Sequence, residues 1–269
     1  MKINSLLNEI RTKQPLIHHI TNWVTIFNCA QAVKSLGASP VMAHAPEEAA
    51  EITSISSALV LNIGTLTEDI IESMLVSAKA AAEKKIPVVL DICGAGASSM
   101  RNSACIKLIS SGNISIIKGN ASEVSCVAGL NVTTKGVDST EVSFDLPEVA
   151  RDLSDRLSCI VVITGKKDYI AGGGKFYTVD NGSELMGKVV GTGCMAASMI
   201  GCFAAVLPGD LPAACAAALS AWGIAGEKAS EKSSGAGTFL VHIFDELSSL
   251  TEEDILRGKK ITEIKNSQA

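Results

Sequence analysis

The stretch Gly191-Thr-Gly-Cys-Met-Ala-Ala-Ser-Met-Ile-Gly-Cys-Phe-Ala-Ala-Val-Leu207 joins a glycine-rich turn to a long uncharged run. The part from Ala196 onward predicts a buried helix. Two glycines directly before a helix let its first backbone N–H groups surround an anion, and the helix dipole adds positive charge there. We therefore predict that a phosphate binds at Gly191, Thr192 and Gly193.

Cys194 follows this turn directly. A free thiol has a pKa of about 8.5, which a helix N-terminus lowers. With a lowered pKa, the side chain can act as a base or accept a hydrogen bond. We therefore take Cys194 as a candidate catalytic residue beside a transferring phosphoryl group.

Short β-branched runs alternate with amphipathic stretches, as is typical of a parallel sheet covered by helices. The β-branched runs are Ala58–Ile63, Ile86–Ile92, Ile114–Ile117 and Cys159–Thr164. Helices are predicted over Trp23–Leu36, Glu68–Lys84, Leu146–Leu157 and approximately 194–207, 211–229 and 238–249.

The pattern changes after Thr164, where turn signals separate three short segments and predict hairpins. These segments are Tyr169–Ala171, Lys175–Val179 and Glu184–Val190. We expect an α/β fold with a mostly parallel central sheet, an antiparallel edge and helices on both faces. We also expect a single domain over residues 1–269.

The net charge of −5 and the lack of a Lys/Arg cluster argue against a nucleic-acid partner and favour small molecules. The eight cysteines show neither a C-x-x-C pair nor zinc spacing, which indicates reduced thiols. Residues 1–11 lack the pattern of a secretory signal, so we expect a cytoplasmic location.

Two uncharged runs, Val189–Gly209 and Leu211–Gly226, together resemble a transmembrane hairpin. They are rich in Ala, Gly and Ser, however, and Pro208 lies at the end of the first. We therefore expect no membrane role and interpret them as small-residue helices packed against the sheet. This interpretation also explains the positive mean hydropathy of +0.31.

Two acidic residues, Asp91 and Glu123, lie at the ends of predicted strands or just after them. Open α/β sheets bind ligands at this edge, and carboxylates there suit Mg²⁺ bound together with substrate phosphates. The alternative is that each residue caps a turn or a helix. Lys118, at another strand end, could reach a phosphate or simply be exposed.

Two further motifs leave alternatives open. Residues 191–196 fit the loose dinucleotide pattern G-x-G-x-x-A, but a hairpin precedes them and helices follow, which disfavours a nicotinamide oxidoreductase. No Walker A motif is present in the sequence. His18 and His19 point to opposite faces of a strand, so shared metal ligation is not expected. Asn22 either caps a helix or binds a substrate hydroxyl.

An ordered set of motifs between residue 15 and about residue 250 resembles the hydroxyethylthiazole kinase family of the ribokinase-like superfamily. They are His19-Ile-Thr-Asn22, Gly37-Ala-Ser-Pro-Val-Met-Ala43, Leu59-Val-Leu-Asn-Ile-Gly-Thr65, Val89-Leu-Asp91, Gly94-Ala-Gly-Ala97, Gly119-Asn-Ala-Ser-Glu123, Ile163-Thr-Gly165 and Gly191-Thr-Gly-Cys194. The resemblance implies a three-layer ribokinase-like fold. It also implies transfer of the γ-phosphoryl group of ATP to the primary hydroxyl of 4-methyl-5-(2-hydroxyethyl)thiazole, for thiamine phosphate synthesis or salvage.

The resemblance also implies residue roles. Asn22, Met42, Gly64 and Gly191 would contact the thiazole. The nucleotide would lie against Lys118, Asn120, Thr164 and Gly165, and Asp91 and Glu123 would organise Mg²⁺. The assembly would be a homotrimer with sites at subunit boundaries.

Two departures from the family pattern are Ile92-Cys93 in place of Pro-Val and Lys118 in place of a common arginine. The first changes the residues of the turn after Asp91. The second keeps the positive charge but removes the planar, bidentate guanidinium of arginine. The nearest alternative is hydroxymethylpyrimidine kinase or another small-alcohol kinase of the same fold. A non-catalytic thiazole-binding protein is the more remote one.

Overall fold

The computed structural model describes residues 4–130 and 144–264. Nine strands within these ranges form one sheet in the order β2-β1-β3-β4-β5-β6-β7-β8-β9. The strands are β1 (Leu16–Ile20), β2 (Ser39–Met42), β3 (Ala58–Asn62), β4 (Val88–Asp91), β5 (Ile116–Asn120), β6 (Ile160–Thr164), β7 (Asp168–Gly172), β8 (Lys175–Val179) and β9 (Ile261–Glu263). Neighbours are parallel from β2 to β6 and antiparallel from β6 to β9.

Helices cover both faces of the sheet. They are α1 (Asn4–Lys13), α2 (Ile26–Leu36), α3 (Pro46–Ser54), α4 (Glu68–Lys84), α5 (Ser99–Ser110), α6 (Ala121–Val127), α7 (Leu146–Leu157), α8 (Thr192–Val206), α9 (Leu211–Lys232), α10 (Ala236–Ser249) and α11 (Glu252–Gly258). Alternate residues of β3 separate the two cores, since Val60 packs with α8 and α9 whereas Leu59 and Leu61 pack with α4. The predicted architecture is confirmed: a mostly parallel central sheet with an antiparallel edge and helices on both faces.

The small residues of α8 bring this helix close to the sheet. A Cβ on Gly201 would lie only 2.6 Å from Cγ2 of Val60, so the helix could not approach β3 as closely with any side chain there. This close packing fits the interpretation of the uncharged runs as buried helices. Within the described part of the chain, none of the helices has the length and apolarity needed to cross a membrane.

One predicted element is wrong, and several boundaries shift by two or three residues. The helix predicted from Trp23, for example, begins at Ile26, and the strand predicted over Ile114–Ile117 spans Ile116–Asn120. Glu184–Val190 does not form a strand, because residues Glu184–Lys188 form a 3₁₀ helix capped by the hydroxyl of Ser183. The helix expected from residue 194 begins at Thr192, so Gly193 lies inside its first turn rather than before it. The hairpin predicted between Tyr169–Ala171 and Lys175–Val179 is confirmed as the antiparallel pair β7–β8.

Candidate active site

The glycine-rich turn places the N-terminus of α8 at the carboxyl ends of the parallel strands. Gly191 precedes the helix in the left-handed conformation, with φ +92°. The hydroxyl of Thr192 donates to the carbonyl of Met186 at 2.8 Å and also contacts the carbonyl of Val189 at 3.3 Å. Thr192 therefore stabilises the turn, while the first N–H groups of α8 remain available to an anion.

Cys194 lies buried in the first turn of α8, with 9% of its surface exposed. The side-chain amide of Asn22 donates to Sγ at 3.3 Å. The neighbouring thiol of Cys93 lowers the pKa of Cys194 to about 5 against the opposing effect of burial, with further help from the Lys118 ammonium. The pKa of Cys194 is lowered as predicted, but the cause is the neighbouring side-chain donors and the ammonium rather than the helix N-terminus.

A chain of buried amides links Cys194 to Asp91. Nδ2 of Asn22 also donates to Oδ1 of Asn62 at 3.0 Å, and Nδ2 of Asn62 donates to Oδ2 of Asp91 at 3.0 Å. Oδ1 of Asn22 accepts from the backbone N–H and the hydroxyl of Thr25, each at 3.0 Å. Asn22 therefore fixes the turn into α2 with one atom and faces the thiol with the other.

Asp91 and Lys118 form a buried ion pair between β4 and β5. Asp91 ends β4 as predicted, but Lys118 lies within β5, two residues before its end. Nζ of Lys118 lies 3.3 Å from Oδ2 of Asp91. Burial raises the pKa of the Asp91 carboxyl, and the ammonium opposes this shift. Burial alone would lower the pKa of Lys118, but the negative charge of Asp91 outweighs it and holds that pKa above its ordinary value. A Cβ on Gly193 would lie 3.3 Å from Nζ, so the ammonium lies beside the start of α8.

The second carboxylate, Glu123, accepts backbone N–H groups with both oxygens. Gly94 donates to Oε1 at 2.7 Å, and Asn120 donates to Oε2 at 2.7 Å. Glu123 therefore forms a capping box with Asn120 at the start of α6, as one of the two sequence-based interpretations predicted. Burial raises the pKa of Glu123 while these donors oppose the shift.

Asp91 still has a free acceptor, because its buried Oδ1 has no hydrogen-bond partner. Among the described residues, no three His, Cys, Asp or Glu side chains are close enough to hold a metal by themselves. Mg²⁺ commonly binds through one or two carboxylates together with water and substrate phosphates. The orphaned Oδ1 beside Glu123 fits that kind of site.

The other predicted ligand residues lie along the same edge of the sheet. Met42 ends β2 and is aligned with His19 of β1. Asn120 ends β5 beside Thr164 of β6, and the hydroxyl of Thr164 donates to the carbonyl of Gly119 at 3.3 Å. Five strand spacings separate β2 from β6, roughly 24 Å. Met42 and Thr164 therefore lie on opposite sides of the central group around Asp91 and Cys194.

The two adjacent histidines do point to opposite faces, as predicted. His18 contacts the hydroxyl of Thr53 at 2.8 Å and the carbonyl of Ala43 at 2.7 Å. His19 instead contacts the hydroxyl of Ser198 on α8 at 3.0 Å. Both rings are buried and hydrogen-bonded within the protein.

Sequence reasoning missed four residues that shape this site, namely Thr25, Asn62, Arg101 and Asp168. Asn62 ends a strand that was predicted, so its position as a polar strand-end residue was a usable signal. Asp168 accepts from the backbone N–H of Gly165 at 3.0 Å, and burial raises its pKa to about 7. Arg101 lies within a helix of weak hydrophobic pattern, where nothing local distinguishes it.

A helix N-terminus, a lysine and a carboxylate converge at the carboxyl edge of a largely parallel sheet, which defines a phosphotransferase of ribokinase-like fold. A ribokinase-like superfamily protein from Enterococcus faecalis shares the fold, with a TM-score of 0.64 at 14% identity, over 93% of this chain and 94% of that one.

Closer relatives identify the family. The family model described as the hydroxyethylthiazole kinase family matches residues 7–253. A hydroxyethylthiazole kinase from Methanosarcina mazei is 53% identical over 258 residues, covering 96% of this chain and 98% of that protein. The structure of a hydroxyethylthiazole kinase protein from Pyrococcus horikoshii has a TM-score of 0.90 and 35% identity, covering 98% of this chain and 100% of that one. The chain belongs to the hydroxyethylthiazole kinase family, and the predicted resemblance is confirmed.

Proposed function

We propose that this chain transfers the γ-phosphoryl group of ATP to the primary hydroxyl of 4-methyl-5-(2-hydroxyethyl)thiazole. The observation that carries the proposal is the arrangement of Cys194, Asn22, Asn62, Asp91 and Lys118 in one buried network at the start of α8. The names of relatives that align over nearly the whole chain supply the acceptor. Its product would serve thiamine phosphate synthesis or salvage.

The residues divide into an acceptor side and a nucleotide side. We propose that Asn22, Met42, Gly64 and Gly191 bind the thiazole, because Gly64 packs against Asn22 and Gly191 lies next to Thr25. Asn120, Thr164 and Gly165, at the ends of β5 and β6, would bind the nucleotide. Lys118 lies between the two sides, where its ammonium would reach the transferred phosphoryl group.

Charge stabilisation at the helix start is the main chemical contribution that we propose. Phosphoryl transfer passes through a loose transition state with charge on the phosphoryl oxygens, so positioning and electrostatics dominate. The N–H groups of Gly193 and Cys194 and the Lys118 ammonium would stabilise that charge. Asp91 and Glu123 would hold Mg²⁺, which when bound neutralises phosphate charge.

We further propose a single catalytic domain, a homotrimeric assembly and a cytoplasmic location. All eight cysteines are free and lie within the described residues, which suits a reducing compartment. Exposed apolar side chains flank the site in the turn that leads into α2, on α2 itself and in the turn before α8, where a neighbouring subunit could cover them. They are Trp23, Val24, Phe27 and Val190.

ADP release from MgATP tests the function directly. The acceptors are hydroxyethylthiazole, hydroxymethylpyrimidine or none, each repeated with EDTA. We expect rapid turnover on the thiazole alone and its loss when EDTA removes the metal. Turnover on the pyrimidine would keep the reaction class but change the substrate. No ADP release with any acceptor would favour a binding protein without turnover.

Replacing Cys194 tests how much a base contributes. We expect Cys194→Ala to lower kcat only moderately, by less than the roughly 10²-fold that a typical general base contributes, and Cys194→Asp to preserve or raise it, because proton removal comes late in a loose transition state. Steady-state kcat measures both. Cys202→Ala, at a buried cysteine two turns along the same helix, is the matched control and should retain full kcat. Loss of all turnover in both Cys194 variants would mean that the thiol itself is essential.

A further inference from the structure

The side chain of Arg101, in the first turn of α5, donates to three backbone carbonyl oxygens at the edge of the site. Its Nη1 lies 3.1 Å from the carbonyl oxygen of Ile63 and 2.7 Å from that of Cys93. Its Nη2 lies 2.6 Å from the carbonyl oxygen of Gly64. These carbonyls belong to the loops that follow β3 and β4, just beyond Asn62 and Asp91.

The Cys93 carbonyl belongs to a peptide unit that is held at both ends. Its oxygen accepts from Arg101, and the N–H of the same unit, on Gly94, donates to Glu123 at 2.7 Å. Arg101 therefore holds the turn after Asp91, and the Gly94 N–H of the same turn donates to the Glu123 carboxylate. Movement of this guanidinium would therefore shift the peptide unit whose N–H group donates to Glu123.

Gly64 is held in a similar way on the acceptor side. Its N–H donates to Oδ1 of Asn62 at 2.8 Å, and its carbonyl accepts from Arg101. A Cβ on Gly64 would lie 2.9 Å from Cβ of Asn22, so the backbone here packs directly against Asn22. Since Asn22 donates to Cys194, the position of the Gly64 backbone affects the group around the thiol.

We propose that Arg101 is a positioning residue that fixes the acceptor-side loop after β3 against the carboxylate-side loop after β4. This inference rests on the function proposed above and adds a residue to it. The planar guanidinium presents several N–H groups in a rigid fork, which a lysine ammonium cannot reproduce. A misplacement of about 1 Å in a reacting group can cost about 10²-fold in rate, so the fork has a direct effect on turnover.

Arg11 offers a matched control away from the site. It also donates to three carbonyl oxygens, those of Leu36 at 3.4 Å, Leu247 at 3.2 Å and Ser248 at 3.1 Å. These lie at the ends of α2 and α10. Loss of either guanidinium removes the same kind of bond, but only Arg101 contacts the loops of the site.

The experiment compares Arg101→Lys and Arg101→Ala with Arg11→Lys, by kcat, by the thiazole KM and by the thermal midpoint. We expect Arg101→Lys to lower kcat about tenfold and Arg101→Ala to lower it further, towards about 10²-fold. Arg11→Lys should lose a comparable amount of thermal stability and keep its kcat. If Arg101→Ala does not fold, the lysine variant decides.

Chemical rescue separates positioning from stability. Guanidinium ion at a low, non-denaturing concentration should restore part of the kcat of Arg101→Ala, because the half-buried position admits a small planar cation. Ammonium ion should not restore it. Unchanged kcat in both Arg101 variants would overturn the proposal. So would a loss that follows only the unfolded fraction and that guanidinium does not relieve.

Hydrogen exchange gives a readout that does not depend on turnover. In Arg101→Lys, we expect the amides of Gly64 and Gly94 to exchange at least about tenfold faster, with no such change in Arg11→Lys. Unchanged exchange at both glycines would overturn the positioning role. If the unsubstituted chain does not phosphorylate the thiazole, the proposed function fails, and the exchange rates alone decide whether Arg101 holds the two loops.

Discussion

Asp91→Asn is expected to lower kcat about 10³-fold. Removing a group that stabilises charge in phosphoryl transfer has effects of about 10³-fold or more. Asparagine has nearly the same shape, so the loss comes from the missing charge. The change removes the carboxylate proposed to hold Mg²⁺ and leaves the Lys118 ammonium buried without its partner at 3.3 Å. Breaking a buried pair in this way also destabilises a protein by about 3 to 5 kcal/mol.

Because stability and turnover both change, kcat is measured under conditions where urea unfolding shows the variant to be folded. Glu246→Gln is the matched control. Glu246 is also a buried carboxylate, 2% exposed, and it pairs with Lys228 at 3.6 Å and Lys232 at 2.5 Å, away from the site on α10. The Glu246→Gln variant should lose stability and keep its kcat. A folded Asp91→Asn protein that retained more than a tenth of the turnover would contradict the role of Asp91.

Much of the fold could be predicted because its central strands are buried on both faces. Ala58–Asn62 and Ile160–Thr164 are continuous apolar runs bounded by turns, and such runs indicate strands whatever their neighbours are. The short β9 carries no such signal, since Ile261–Glu263 has only one apolar residue. Its pairing with β8 depends on the chain returning to that edge.

The wrong strand at Glu184–Val190 has a tertiary cause. Met186 and Val189 are residue types that strands accommodate, but their backbone carbonyl oxygens accept hydrogen bonds from the hydroxyl of Thr192. Met186 also packs tightly against α9, where a Cβ on Gly226 would lie 2.6 Å from its sulfur. These contacts favour a tight turn, and no local pattern in the sequence indicates them.

The site could be located from sequence, but its internal contacts could not. The sequence predicts Asp91 and Lys118 at the ends of strands whose carboxyl ends share one edge, so their proximity follows from the parallel sheet. That Lys118 is buried against Asp91 depends on side-chain direction, which a strand-end position does not fix. Arg101 acts through carbonyl groups, and a backbone acceptor has no signature in a sequence.

Gly191→Ala is expected to lower kcat/KM about 10²-fold. The residue has φ +92°, where an L side chain costs about 1 to 2 kcal/mol, and a Cβ there would lie 2.5 Å from Cγ2 of Thr25. Either the start of α8 or Thr25 must move. The hydroxyl of Thr25 donates to Asn22, which donates to Cys194, so each movement disturbs the group around the thiol. A displacement of about 1 Å accounts for a loss of this size.

Two comparisons distinguish this clash from backbone strain alone. Gly112→Ala introduces a side chain at φ +72° with nothing within 4 Å, so it should lose stability but not kcat/KM. Adding Thr25→Ser to Gly191→Ala removes Cγ2 and keeps the hydroxyl, so the double variant should recover part of the lost kcat/KM. Recovery would mean that the contact between residue 191 and the methyl group of Thr25 sets the position of the start of α8. No recovery, with full activity in Gly112→Ala, would mean that the left-handed turn at Gly191 alone places the N–H groups of α8.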